Sequence, residues 1–314
     1  MEEVIKANNT PKRKKHLKRS TSQLLFVIGL LALPIIQFVV FWIVPNFNSI
    51  LLAFKDDSGF SFTYFQDFFR TLTDPEASDH MHLICSIRNS LIYFAVNIFI
   101  CTPLVIFFSY VLFRKVPLHG AFKVIFYLPS IIGMTVTATL FLFVFQKGAP
   151  VYELLNSWGW IPAQADRWGG LFSYEGTAFL MVVIYSIWTC VGLNMIMFHG
   201  AMKRIPQEIF ESADMDGAGF FRQFISLVVP LIWPTITTLI IFSISGIFVT
   251  YGAVMILAPQ EKTAFMIGYY ILEKTTSEQY NTAAAIGLAF TCVGLPFVLI
   301  VKKALDKIGS NVEY

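Results

Sequence analysis

The residues of this chain that could do chemistry are few and fall into three groups. One is the polar segment 205–230, IPQEIFESADMDGAGFFRQFISLVVP, which lies between two strongly apolar stretches and carries the carboxylates Glu208, Glu211, Asp214 and Asp216. A second is a set of neutral polar and aromatic side chains inside apolar stretches. Tyr185, Trp188, Thr189 and Gly192 recur on one helical face, with Asn194 nearby; Ser243, Gly246, Ile247 and Thr250 follow at i, i+3, i+4 and i+7, with Tyr251 beside them. Such stripes suit either a path for a polar, uncharged solute or close helix packing. The third is the His80-x-His82 pair, whose ordinary reading is a solvated loop and whose alternative is a metal site. The four cysteines (Cys85, Cys101, Cys190, Cys292) show no CxxC spacing and read as apolar packing. No GxxxxGK[ST] is present, so the chain has no phosphate cradle of that kind. No clustered His, Cys and carboxylate set suggests bond-making chemistry. Binding and motion are what these residues can support.

The elements that hold them are solvated by lipid. Of the 314 residues 56% are hydrophobic and 14% charged, and the mean hydropathy is +0.65. Soluble domains carry about 25% charged residues. Six stretches are long enough to cross a bilayer core as helices: 23–45, 91–113, 124–145, 178–198, 233–257 and 284–301. None contains Asp, Glu, Lys, Arg or His. Runs this long and continuous do not fit barrel strands, so the expected fold is all-α and polytopic. The first run exceeds a signal-peptide core and is followed by no small-residue cleavage site. Pro34 and Pro45 lie within it, and Asn97 and Gln37 are read as inter-helix hydrogen-bond partners.

Charge sets the orientation. Lys6, Lys12, Arg13, Lys14, Lys15, Lys18 and Arg19 precede the first span, and the 114–123 loop, the 199–232 loop and the C-terminal tail supply the rest of 16 basic residues, out of 23, on one side. That side is cytoplasmic by the positive-inside rule, with both termini in. The organisation is a basic tail at 1–21, a six-span domain at 22–303 and a second tail at 304–314. The basic tail is a topology and lipid signal rather than a nucleic-acid arm. Outside, 46–90 reads as a small cap, part strand and part helix, and 146–177 as a turn-rich loop. Its Trp158, Trp160 and Trp168 suit the headgroup level.

The cytoplasmic segment 205–230 reads as helix, bend, helix. Pro206 suits a first helical turn, and Glu208 and Glu211 complement the positive helix end. Ile205, Ile209, Phe210 and Ala213 share a face, and Gly217 can adopt the left-handed conformation that closes a helix. A second amphipathic stretch runs from Phe220 to Val229. The apolar residues of this loop call for a covering surface.

The segment resembles the motif of permease subunits of binding-protein-dependent ABC importers. That motif is Glu-Ala-Ala, three residues, Gly, nine residues, then Ile-x-Leu-Pro. Here it stands as Glu211-Ser212-Ala213, Gly217 and Leu227-Val228-Val229-Pro230, with the carbohydrate-branch extension Ile205-Pro206 through Asp216-Gly217-Ala218. Phe126-Tyr127-Leu128-Pro129, then Trp188, Gly192 and Met195, and the alanine-rich Asn281–Ala285 extend the likeness over roughly 23–303. It is most similar to the maltose-transporter class, first-permease type. The family's Thr-x-Gly-Gly-Pro is reduced here to Leu257-Ala258-Pro259, and its Leu-Ala-Gly-Leu-Gln to His199-Gly200-Ala201-Met202-Lys203.

The resemblance implies a type I importer permease: half of a heterodimer with a second permease. Two ATPase subunits lie below, and an extracytoplasmic solute-binding protein lies above, in a bacterial or archaeal cytoplasmic membrane. ATP and Mg²⁺ would be used by the partner ATPase, and no cofactor would be bound by this chain. Glu208, Glu211, Ser212, Ala213, Asp216, Gly217 and Ala218 would form the coupling helix that docks on the ATPase. Tyr185, Trp188, Asn194, Ser243, Gly246, Ile247, Thr250 and Tyr251 would line the path of a sugar, or else serve only in helix packing. The rivals are a permease for a non-sugar solute such as glycerol phosphate, and an ion-coupled secondary transporter. The latter is disfavoured by the absence of charge in the spans and of an internal repeat.

Overall fold

A computed structural model of the chain describes residues 21–56 and 59–309. Most of the basic tail and the last five residues therefore lie outside the described region. The chain divides into two compact units, Met1–Leu51 and Leu52–Tyr314. Four helices are long and apolar enough to cross a membrane: Phe26–Ala53, His80–Phe113, Glu175–Met202 and Tyr280–Lys307. Two bent pairs bring the number of crossings to six if each pair counts as one. They are His119–Ile131 with Met134–Phe145, bent by 104°, and Phe220–Leu231 with Trp233–Gly246, bent by 71°. The protein is all-α apart from one two-stranded hairpin among the described residues.

The expected spans are found at their places, but two are not continuous. The third breaks at Ile132 and Gly133, both in extended conformation. The fifth, expected over 233–257, ends as helix at Gly246, and a second helix begins only at Gly252. In hydrocarbon such irregular backbone is tolerated only where protein or a cavity covers it. Other helices outrun their apolar cores: the first reaches Ala53, and the second starts at His80.

Proline shapes three of these helices in the same way. Pro45, Pro103 and Pro230 each lie two residues beyond a π-helical turn, at Val39–Ile43, Asn97–Cys101 and Phe224–Val228. A proline cannot donate to the carbonyl four residues back, and its ring crowds that carbonyl. Widening the preceding turn to i→i+5 bonding relieves both problems without ending the helix.

The larger unit is pinned at its external end. On the external side Asn89 donates from Nδ2 to the carbonyls of Thr263, at 2.7 Å, and Phe265, at 2.9 Å. Ile267 N donates to Ser90 Oγ at 2.9 Å. Lys274 pairs with Asp79, so the residue before the second helix is tied to the segment before the sixth. The cap follows expectation. The hairpin pairs Lys55 with Phe60 and Asp56 with Gly59, and the helix Thr63–Thr73 follows it. Asn281 Nδ2 donates to Lys55 O at 2.8 Å, and Phe68 packs edge-on against Phe290 at 5.7 Å, seating the cap on the sixth helix. In the 146–177 loop Lys147 Nζ lies 3.1 Å from Asp166, which also accepts from Tyr152 Oη at 3.0 Å. Those two hydrogen bonds hold the Asp166 carboxyl below its ordinary range. Burial, and then Asp166, push the Tyr152 phenol up to about 12.

Two polar expectations are corrected. Asn97 does not bridge helices; its Nδ2 donates to Tyr93 O in its own helix, at 3.1 Å. Asn89 and Ser90, about two turns earlier, take the bridging role instead. His80 and His82 are not in a solvated loop but in the first turn of the second helix, on Thr71 O and Asp79 respectively. No group of three metal-binding side chains occurs among the described residues.

The apolar interior forms two main clusters. One, towards the outside, gathers Leu83, Phe141, Tyr152, Tyr185, Val254, Met266 and Tyr270. The other, towards the basic side, gathers Val105, Tyr110, Met195, Phe198, Phe210, Ile240 and Ile244. Along the fourth span the first cluster ends at Tyr185 and the second begins at Val191. Along the fifth, the second ends at Ile247 and the first resumes at Ala253. Both breaks thus fall at the seam between the cores.

Candidate functional site

The loop on the basic side is a built structure. Its first helix is Gln207–Met215, with Pro206 just before it rather than in its first turn. The helix ends in a complete Schellman motif. Gly217 sits at φ +69, its N–H donates to Asp214 O at 3.1 Å, and Ala218 N donates to Ala213 O at 2.9 Å. The chain then enters Phe220–Leu231. Ile205 and Phe210 face inward and are buried against the second and fourth spans. Phe210 meets Phe113 at 5.4 Å and carries the Arg114 guanidinium 5.9 Å above its ring. The covering surface expected for the apolar face is therefore mostly the chain itself. What stays outside includes Glu208, Glu211, Ser212, Asp214, Asp216 and Gly217, together with Met215, 89% exposed. Ala213 and Ala218 are half-buried. Gln207 Nε2 donates to Glu211 Oε1 at 2.9 Å, fixing one carboxylate along the exposed face.

The seam between the two cores holds a cavity of about 520 Å³. Pro129, Ser130, Ile132, Met134 and Thr137 line it from the third-span break, and Val249–Ala253 from the fifth. Tyr93, Tyr185, Ser186 and Thr189 complete it. Its polar groups are hydroxyls and broken-helix backbone; no carboxylate, ammonium, guanidinium or imidazole lines it. Glycines permit the close packing around it. A Cβ on Gly192 would strike Ser130, and one on Gly252 would strike the Met134 side chain. One on Gly268 would lie 2.8 Å from Thr250 O, a backbone atom. A second, smaller cavity of about 330 Å³ is lined by Asn97, Thr102, Asn194, Phe242 and Ser243 among others.

The family profile described as "Binding-protein-dependent transport system inner membrane component" matches residues 85–309. The chain belongs to this family. It is 25% identical over 291 residues to the probable ABC transporter permease protein YurN of Bacillus subtilis (strain 168), covering 87% of this chain and 94% of that one. It is 23% identical over 268 residues to the arabinooligosaccharides transport system permease protein AraP of Halalkalibacterium halodurans, covering 82% and 81%. Among solved structures, a chain of a bacterial ABC transporter involved in the import of the acidic polysaccharide alginate superposes with a TM-score of 0.77. The two are 23% identical, over 91% of this chain and 97% of that one, a likeness of fold.

The permease brings some of the expected pathway residues together and separates others. Tyr185, Thr250 and Tyr251 line the larger cavity, and Asn194 and Ser243 the smaller. Trp188 lines neither; it stacks on Phe141 at 6.0 Å and is about half exposed. The fifth-span stripe does not exist as one face, because the helix stops at Gly246. The Gly246 carbonyl accepts from Thr250 Oγ1 at 2.7 Å, and Ile247 is turned into the core. Sequence reasoning missed Tyr93, Ser130, Thr137 and Ser186. Ser130 directly follows the Phe126–Pro129 motif, so the signal was adjacent; the others needed the bend.

Proposed function

We propose that this chain forms half of the translocation path of an ATP-driven importer for a sugar or oligosaccharide. It pairs with a second permease, couples through the 205–230 loop to two ATPase subunits, and receives solute from an extracytoplasmic binding protein in a bacterial or archaeal membrane. ATP and Mg²⁺ belong to the partner ATPase. Family membership supports the binding-protein partner, and the relatives' names support the cargo class. The observation that carries the reading is the hydroxyl-lined, uncharged cavity at the meeting of two helix breaks. Neutral hydrogen-bonding groups with aromatic neighbours match a polyhydroxyl solute without the cost of burying unpaired charge. Alternating access then follows if the two cores move against each other about the breaks, a two-state motion biased by the ATPase and the binding protein.

The exposed Glu208, Glu211, Ser212, Asp216 and Gly217, backed by Ala213 and Ala218, form the docking face in this reading. The apolar side of the same helix already belongs to the membrane unit, so a force on the acidic side reaches the spans.

A second reading concerns acidic oligosaccharides. It draws on the alginate importer and on the polygalacturonan/rhamnogalacturonan permease YteP of Bacillus subtilis, 24% identical over 292 residues. Purification of the tagged permease from native membranes, with identification of its companions, tests the assembly. Recovery of a second permease and an ATPase is expected, and recovery of this chain without an ATPase overturns the coupling reading. Competition by neutral and uronic oligosaccharides in reconstituted uptake then separates the two cargo classes.

A further inference from the structure

We propose that Asp214, Gln223 and Arg114 form a positioning cluster that fastens the Gln207–Met215 helix to the second span and to the return helix, so that the three travel together. This rests on the coupling reading of the loop and adds how its displacement is delivered.

Asp214 lies in the last turn of the helix, where its backbone carbonyl is already taken by Gly217 N. Its carboxylate turns back across the bend. Gln223 Nε2 donates to Asp214 Oδ1 at 2.6 Å and to Ala218 O at 2.7 Å, using both amide protons. Gln223 is 2% exposed, so its amide is shielded from water, although the Asp214 carboxylate that it meets keeps about half of its surface open to solvent. One of them is charge-assisted, the stronger kind. Together they fix the angle between the two arms of the loop.

The third element is the end of the second span. Arg114, which follows the helix Thr102–Phe113, places Nη2 3.9 Å from Asp214 Oδ1. A partly exposed pair at that distance contributes little alone. Here it adds to the guanidinium over Phe210 and the contact of Phe113 with the same ring. Tyr110, one turn earlier, packs on Phe220 at 4.7 Å and Phe224 at 5.3 Å from the return helix. The ends of three helices therefore converge on one carboxylate. Arg114 and Asp214 are themselves exposed, but neither they nor Gln223 are among the docking residues of that reading.

The test uses the full importer in proteoliposomes and reads solute taken up per ATP hydrolysed. Gln223→Met keeps the side-chain bulk and removes both bonds. The expected result is retained ATPase in the purified complex and an uptake-to-ATP ratio lowered by about tenfold, within the usual range of coupling energies. A merely structural residue would lower thermal stability without changing that ratio. The second variant is Arg114→Cys with Asp214→Cys, in a chain whose exposed Cys292 is replaced by serine. Its ratio should be low before bridging and return towards the parent value once a short bifunctional thiol reagent joins the two cysteines. A bridged complex that stays uncoupled means the helix must move relative to the second span, and overturns the proposal. So does an unchanged ratio in Gln223→Met. Absence of ATPase from the unsubstituted complex would instead refute the coupling reading on which the cluster depends.

Discussion

Thr137 Oγ1 and Tyr185 Oη lie 2.9 Å apart, joining the outer arm of the bent third span to the fourth beside the larger cavity. Thr137 also donates to Met134 O at 3.0 Å, whereas the Tyr185 hydroxyl has only that carbonyl, at 3.4 Å, as a second partner. Tyr185→Phe should therefore leave Thr137 satisfied and cost about 1 kcal/mol, the net worth of one hydrogen bond. Uptake should fall while assembly is retained. Thermal unfolding and reconstituted uptake of the same preparation check this; undiminished uptake would remove Tyr185 from the path.

Gly268 supports the second break. Any side chain there presses on the backbone of Val249 and Thr250. Gly268→Ala should destabilise by about 1–3 kcal/mol, the usual cost of overpacking. Because Thr250 lines the cavity, uptake should fall more than stability alone explains. A thermal midpoint and uptake both equal to the parent's would show that the break yields freely.

Asn89 is the external pin. Asn89→Leu would leave the Thr263 and Phe265 carbonyls without their donor, at about 1–3 kcal/mol for a buried polar group left unpaired. Asn89→Asp should be at least as harmful, since it sets an acceptor against two acceptors. Unfolding in detergent measures both, and a neutral Asn89→Leu would mean that water replaces the amide without loss.

Acid should loosen the same external end. Burial alone would raise the Asp79 carboxyl, but its hydrogen bond and charge interaction with Lys274, helped by His82, outweigh that and hold it below its ordinary 3.8. A carboxyl depressed in the folded state stabilises fully above the unfolded value. That stabilisation declines as pH falls below about 4, and is gone below the folded value. Lys274→Met should flatten this acid limb of the stability profile while leaving the 205–230 loop untouched. An acid limb identical in the variant would place its origin elsewhere.

Gly217 closes the Gln207–Met215 helix at positive φ. Gly217→Pro cannot adopt that angle and also loses the bond from its N–H to Asp214 O. The variant should insert in the membrane and fail in ATP-driven uptake. Gly217→Asn, which tolerates the left-handed region, should retain a substantial part of it. Uptake unchanged by proline would show that the bend plays no part in coupling.

The amino-acid sequence by itself determined the solvent, the class and the loop. Runs without charge dictate helices in lipid whatever they pack against. The spacing from Glu211 through Gly217 to Pro230 marks the helix, the left-handed cap and the return helix, because each depends on neighbours in the chain. Tertiary structure alone decided where the spans break. Residues 124–145 and 233–257 read as unbroken by hydropathy, since lipid-facing helix and cavity-facing bend are equally apolar. The bends at Gly133 and Gly246 persist because Gly192, Gly252 and Gly268 let other segments pack against them, contacts between residues far apart in sequence. The same holds for Gln223, an unremarkable polar residue in the sequence. Only the bend brings its buried amide within 2.6 Å of Asp214.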